Sequence, residues 1–113
     1  MQRGDIYLAS FPFGDTAAIK LRPVLLLTDR VGIGTEIVVA YISSVVPSNL
    51  LASDILLNPA LPEHVSTGLR MPSVLRLHKL ATIHHTSMQR RLGQILPVTQ
   101  QSVDTRLRQI FCL

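Results

Sequence analysis

The stretch Arg22-Pro23-Val24-Leu25-Leu26-Leu27-Thr28 constrains the fold more than any other part of the chain. Four consecutive aliphatic residues leave no polar alternation, which predicts a strand covered on both faces. Pro23 pushes Arg22 into an extended conformation and removes a ladder donor, and a sheet accepts that only at a strand's first residues. Arg22 therefore stands at the mouth of a buried strand, beside a loop over 13–21, held in one direction. The plainer reading of the same residue is an arginine that only solvates a strand end.

The remaining segments supply the neighbours such a strand needs. Gly4 to Phe11 mixes β-branched and aromatic residues and predicts a first strand, ended by Pro12. Asp29-Arg30-Val31-Gly32-Ile33-Gly34 predicts a turn that pairs the Arg22 strand with Thr35–Ser44, whose apolar core Ile37–Ile42 finishes in the hydroxyls Ser43-Ser44. Val45–Ser53 reads as a loop, Asp54–Leu57 as a short strand, and the proline-bearing segment to Thr67 as a second long loop, after which Thr67-Gly68-Leu69 returns to the sheet. Ser73–His78 alternates from Leu75 onward, setting Leu75 and Leu77 on one face and Arg76 and His78 on the other, about 6.5 to 7 Å apart along the strand. Leu80–Ile83 extends the sheet, His84–Gln89 reads as a turn, and Arg91–Leu96 as the last strand. Val103, Leu107, Ile110 and Phe111 then fall at helical spacing, with Thr99 or Ser102 as cap and Arg106 and Arg108 off the apolar stripe. The fold class expected is mainly β with a C-terminal α-helix, a small, strongly curved barrel-like sheet of six or seven strands.

A chain of 113 residues forms one domain, 1–113, and no apolar run approaches the roughly 20 residues of a membrane span. Met1 to Asp5 lacks the apolar region of a signal peptide, and the single Cys112 cannot form an internal disulfide; a cytoplasmic protein with an inert cysteine at a packed C-terminus is the expectation. The net charge of +4 suits a polyanion or an acidic protein partner. That charge is spread through Arg22, Arg70, Arg76, Lys79, Arg90 and Arg91, in or beside strands, so a shaped basic surface is expected in place of a basic tail. With no tryptophan, an extensive stacking platform is not expected. His84 and His85 would point to opposite faces of a strand, so they cannot share a metal ion, and no metal site is expected with His64 or Cys112.

Gly4-Asp5-Ile6-Tyr7, Arg22-Pro23-Val24-Leu25, Ile42-Ser43-Ser44, Thr67-Gly68-Leu69, Ser73-Val74-Leu75-Arg76, Ala81-Thr82-Ile83 and Arg91-Leu92-Gly93, in that order, resemble the PemK/MazF family of toxin endoribonucleases over nearly the whole chain. The resemblance implies an SH3-like small β-barrel, a homodimer, cleavage of single-stranded RNA with no metal or other cofactor, an acidic antitoxin partner, and contact with operator DNA only through the antitoxin complex. The family's strand-opening arginine falls on Arg22 and its third-strand hydroxyl on Ser43, where threonine is usual. Arg76 matches an arginine that one branch uses as general acid. Where that branch has an aspartate as general base, this chain has His78. The loop before Arg22 carries Asp15-Thr16-Ala17-Ala18-Ile19-Lys20 where the family often has Glu-Gln-x-Gly.

These residue types suit phosphodiester chemistry. Cleavage needs a base for the 2′-OH, a stabiliser for the phosphate oxygens and an acid for the leaving 5′-oxygen. Arg22 can donate to two oxygens at once, Ser43 adds a neutral donor, His78 can exchange a proton near neutral pH, and Arg76 serves better as a second phosphate clamp than as an acid. Lys20, Arg70, Lys79 and Thr82 are the expected RNA-binding groups, although Thr82 also fits as an ordinary β-branched strand residue. The rival readings are a non-catalytic member of the same fold that binds a protein target such as a topoisomerase through Arg106, Phe111 and their neighbours, and an RNA-binding module without turnover.

Overall fold

A computed structural model describes residues 1–11 and 19–113. Six strands, β1 (Asp5–Phe11), β2 (Lys20–Leu26), β3 (Glu36–Ser43), β4 (Asp54–Leu57), β5 (Ser73–His84) and β6 (Met88–Gln94), precede one helix, α1 (Pro97–Ile110). All strand pairs are antiparallel, in the order β4-β5-β3-β2-β1-β6.

The missing alternation in β2 has the consequence expected of it. Leu25 packs with Ile6, Ile42, Leu75, Leu77 and Val103 on one face of the sheet, where α1 lies. Val24 and Leu26 pack with Ala9, Ile37, Val39, Ile83 and Met88 on the other. All three β2 residues are fully buried. Each face thus has its own core, and the second gives way to polar residues at one end.

A bulge in β5 decides which residues share that polar end. Ala40 pairs with Leu80, but the next β3 residue, Tyr41, pairs with Arg76, so Leu77, His78 and Lys79 are looped out of the β3 ladder. The Leu77 amide is satisfied instead by the Ser53 carbonyl, at 2.9 Å. An odd number of extra residues flips the side-chain alternation, a usual effect of bulges. Arg76 lies on the second-core face before the bulge, whereas Ala81 and Ile83 hold it afterwards.

β4 and β6 are the two sheet edges, and among the described residues no ladder joins them. A 3-10 turn, Pro62–Thr67, sits beside β6, with the Ser66 hydroxyl donating to the Gln94 carbonyl at 2.8 Å. The approach requires glycine twice. A Cβ on Gly68, where φ is +71°, would meet the Leu92 carbonyl at 1.9 Å, and one on Gly93 would meet the Ser66 carbonyl at 2.1 Å. Among the described residues, no helix is long and apolar enough to cross a membrane.

Several boundaries differ from expectation. β2 begins at Lys20, two residues before Arg22, because Ser10 and Phe11 of β1 still offer partners there. The turn expected over His84–Gln89 contracts to a 3-10 turn at His85–Ser87, and β6 starts at Met88. Since His85 has left the strand, the two histidine rings stack at 4.6 Å and do not point to opposite faces. Neither Thr99 nor Ser102 caps α1: Pro97 supplies the first turn with its fixed φ and absent N–H, and Thr99 is buried one turn inside. Phe111 is 55% exposed and Cys112 is exposed as well, because the helix closes before them in a left-handed cap, with Cys112 at φ 58° and the Leu113 amide donating to the Arg108 carbonyl.

Candidate functional site

Where the second-face core ends, three strands line one groove of about 580 Å³, two of them with charged side chains. β2 contributes Lys20 and Arg22, β3 contributes Tyr41, Ile42 and Ser43, and the β5 bulge contributes Arg76, His78, Lys79 and Leu80. Arg22, two residues before the buried Val24, continues the same face past the apolar run. Tyr41 and Ser43 continue the Ile37–Val39 face in the same way. Six of the eight residues singled out in the sequence therefore meet.

The other two do not line it. Thr82 pairs with Val38, which alternates against Ile37 and Val39, so the bulge leaves it on the opposite face from Arg76. Arg70 lines a separate depression with Asn58, Pro59, Ala60, Leu69 and Pro72. Asp15 to Ala18 lie outside the described residues.

Behind Arg76 and His78 stands a corner that the sequence reading missed. Asp54 opens β4 opposite Arg76, and its side chain is fully buried. Arg76 Nε donates to Asp54 Oδ1 at 3.0 Å and Nη2 to Oδ2 at 3.4 Å, while the Leu51 amide donates to Oδ2 at 2.9 Å. Burial alone would push the Asp54 carboxyl up, but the Leu51 amide and the Arg76 guanidinium, with a smaller contribution from His78, together hold it below the ordinary aspartate range. Next to it, Ser53 Oγ lies 2.6 Å from His78 Nδ1, and Asp54 Oδ1 is 3.9 Å from the same nitrogen. Arg106 of α1 fixes the corner from behind, donating from Nη1 to the Ala52 carbonyl at 2.6 Å. The only sequence signal for the corner is an acidic residue placed directly before the apolar run Ile55-Leu56-Leu57.

Two further observations qualify individual side chains. Ser43 Oγ accepts from the Val45 amide at 3.1 Å, so it closes the turn after β3, and its proton has only a 3.5 Å contact with the Val45 carbonyl. A substrate oxygen can compete for that proton. Burial pushes the Tyr41 phenol up, which keeps it a neutral hydroxyl and gives the groove one aromatic ring. Among the described residues, no three His, Cys, Asp or Glu side chains gather as metal ligands would.

The family model for the PemK-like, MazF-like toxin of type II toxin-antitoxin systems matches residues 2–111. Among solved structures, the Mycobacterium tuberculosis toxin MazF-mt6 is similar at a TM-score of 0.74 and 26% identity, over 96% of this chain and 97% of that one. A second structure, described as an Mtb toxin, is similar at 0.66 and 25% identity, over 93% and 97%. An endoribonuclease from a mycobacterial species, in complex with its cognate antitoxin, is similar at 0.72 over 100% and 96% of the two chains, and at 16% identity it speaks to the fold alone. Curated protein sequences give no significant match.

Proposed function

The chain belongs to the PemK-like, MazF-like toxin family of type II toxin-antitoxin systems, and from that premise we propose that its groove cleaves single-stranded RNA by metal-independent 2′-OH attack on the adjacent phosphorus. The observation that carries the reading is the meeting of Lys20, Arg22, Arg76, Lys79, His78 and Ser43 in one groove, drawn from three strands. Four cations, with no acidic side chain among the described lining residues, favour a phosphate chain.

The roles follow from the available atoms. Arg22 Nη atoms stabilise the non-bridging oxygens as negative charge grows on them. Arg76 has two of its five N–H groups on Asp54 and the remainder for a second phosphate contact. His78 takes the 2′-OH proton through Nε2, since Nδ1 is engaged by Ser53. The 2′-oxygen then bonds to phosphorus, the P–O5′ bond breaks, and the departing 5′-oxygen takes a proton from solvent water, to which the protonated His78 returns its own, leaving a 2′,3′-cyclic phosphate and a 5′-hydroxyl. Ser43 donates one neutral hydrogen bond, and the Tyr41 ring offers a face on which a base can stack. The same reading includes a homodimer, an acidic antitoxin that competes for the basic groove, operator DNA reached only through that complex, and an SH3-like barrel whose open seam the Pro62–Thr67 turn fills. It also makes the protein cytoplasmic.

The test is cleavage of a mixed-sequence single-stranded RNA in excess EDTA, with end mapping, by the wild type and Arg22→Ala. Discrete cyclic-phosphate products are expected from the wild type, and a loss of about 10² to 10³ in rate from Arg22→Ala, the scale of removing one oxyanion donor, with the melting temperature preserved. A folded wild type that yields no products, or a variant that cleaves as fast, would overturn the reading.

A further inference from the structure

We propose that Ser53 and Asp54 are positioning residues that lock the His78 imidazole with its proton on Nδ1, so that the Nε2 lone pair faces the groove. The proposal deepens the ribonuclease reading, on which its catalytic use rests, but the locked ring is a property of the folded protein alone.

The argument begins with the bulge. Leu77, His78 and Lys79 have left the β3 ladder, so the strand does not by itself fix the direction of His78. The 51–54 corner does. It holds the backbone through the Ser53 carbonyl on the Leu77 amide, at 2.9 Å, and the ring through Ser53 Oγ on Nδ1, at 2.6 Å. Two attachments on adjacent residues leave the ring little freedom, and the nitrogen across it must face away from the corner into the groove.

The corner also selects the tautomer. Ser53 Oγ can either donate to Nδ1 or accept from it, so the hydroxyl alone is indifferent. The carboxylate decides. Asp54 Oδ1 lies 3.9 Å behind Nδ1, too far for a hydrogen bond and close enough for its charge to favour an N–H dipole pointed at it. The charged groups that line the groove with His78 are Arg76 and Lys79 from β5 and Lys20 and Arg22 from β2, with the Tyr41 phenol from β3. Lys20, Arg22 and Lys79 all lie on the groove side, where cations favour a lone pair over a proton on Nε2. Arg76 is bound to Asp54, which aims the carboxylate without removing it. Negative charge behind the ring and positive charge before it therefore act in the same sense. A histidine so held serves as base where an aspartate would otherwise stand, because its free nitrogen is the one that meets the substrate.

The experiment is a long-range proton–nitrogen correlation spectrum of the full chain labelled with 15N at histidine, recorded above the His78 titration. The wild type should show His78 as the Nδ1–H tautomer, against the usual preference of imidazole for Nε2–H. Ser53→Ala should shift it toward the usual form, Asp54→Asn should shift it further, and Ser53→Thr should restore the wild-type signature. Asp54→Asn can still accept from the Leu51 amide; if it fails to fold, Ser53→Ala, which removes one exposed hydroxyl, carries the test. In the cleavage assay Ser53→Ala should lower kcat by about 10-fold or more with KM within about twofold, the scale seen when a group that orients a catalytic ligand is removed, and Thr should restore it. A wild-type His78 in the Nε2–H form, or a tautomer unmoved by either variant, would overturn the proposal. A locked tautomer in a chain that does not cut RNA would leave the corner standing and remove the ribonuclease reading.

Discussion

Asp5 and Asp54 are the same local device used at two places in the sheet. Each opens a strand, each is nearly fully buried, and each closes a four-residue turn by donating its amide to the carbonyl three residues back, Gln2 or Leu51, while accepting that residue's amide on its own Oδ2. Each also meets an arginine from the neighbouring strand, Arg91 on β6 or Arg76 on β5. They differ in what lies beyond. Arg91 is 47% exposed and reaches Asp5 through one bond at 3.3 Å, with Gln94 as a second partner. Arg76 is 21% exposed, binds Asp54 through two nitrogens, and stands beside a bulge that carries His78. Both partner strands are bulged, but β6 releases single residues, Leu92 and Gln89, whereas β5 releases three in a row, and one of them, His78, comes to lie beside the Asp54 corner.

The comparison can be broken by removing each partner in turn. Arg76→Ala should do the most damage, about 3 to 5 kcal/mol by chemical denaturation, because it strands a fully buried carboxylate. Asp54→Ala should cost less, about 2 to 3 kcal/mol, since the guanidinium left behind can turn toward water. Asp5→Ala should cost about 1 to 2 kcal/mol, the loss of a turn acceptor whose arginine is already solvated. Arg91→Ala should cost under about 1 kcal/mol. If the Arg91 and Arg76 variants proved equally destabilising, the two corners would be energetically alike, and the special status of Asp54 would be lost.

Acid sharpens the same contrast. Because the folded Asp54 carboxyl is held below its ordinary value of 3.8, it binds protons less readily than in the unfolded chain, and its contribution to stability is complete above that value. It is then lost as pH falls through the depressed folded value. The stability gap between wild type and Asp54→Asn, followed by denaturant titration at several pH values, should therefore be constant near neutrality and close below about pH 4. A gap that stayed constant into strong acid would mean that the carboxylate charge plays no part in it.

Much of the site was legible because it follows from alternation. The apolar run of β2 led to two covered faces and to Arg22 at their rim, and the Leu75–His78 pattern set Arg76 and His78 on one face, and both line the groove. Thr82 was misplaced because a bulge changes parity without any mark in composition: Leu77, His78 and Lys79 look like three more strand residues. Asp54 and Ser53 were not legible, since their link to Arg76 and His78 depends on a register between β4 and β5 that no local pattern specifies. The cap of α1 was misassigned for a simpler reason. The helix starts at Pro97 with Leu96 at the cap position, so Thr99 already lies inside its first turn, where its side chain is not placed to cap. Arg106, read as part of an outward helix face, is partly committed to Ala52 and Ser102, so its loss in a partner-binding scan would also loosen the corner under His78.

The pairing of β1 with β6 has a consequence in time. Ile6 meets Gly93, and the Gly4 carbonyl accepts from the Ile95 amide, so the first strand obtains its second neighbour from a segment far along the chain, made after all the other strands. Contacts this distant in sequence make folding slow relative to local structure. On the ribosome, β2 with Arg22 and β3 with Ser43 are made while β1 still has an open edge and the bulge of β5 does not yet exist. The groove, built from β2, β3 and β5, is therefore assembled only after the bulge of β5 has emerged. Chains stopped before Met88 should show weak amide protection in β1, whereas full protection there would separate assembly of the groove from completion of the sheet.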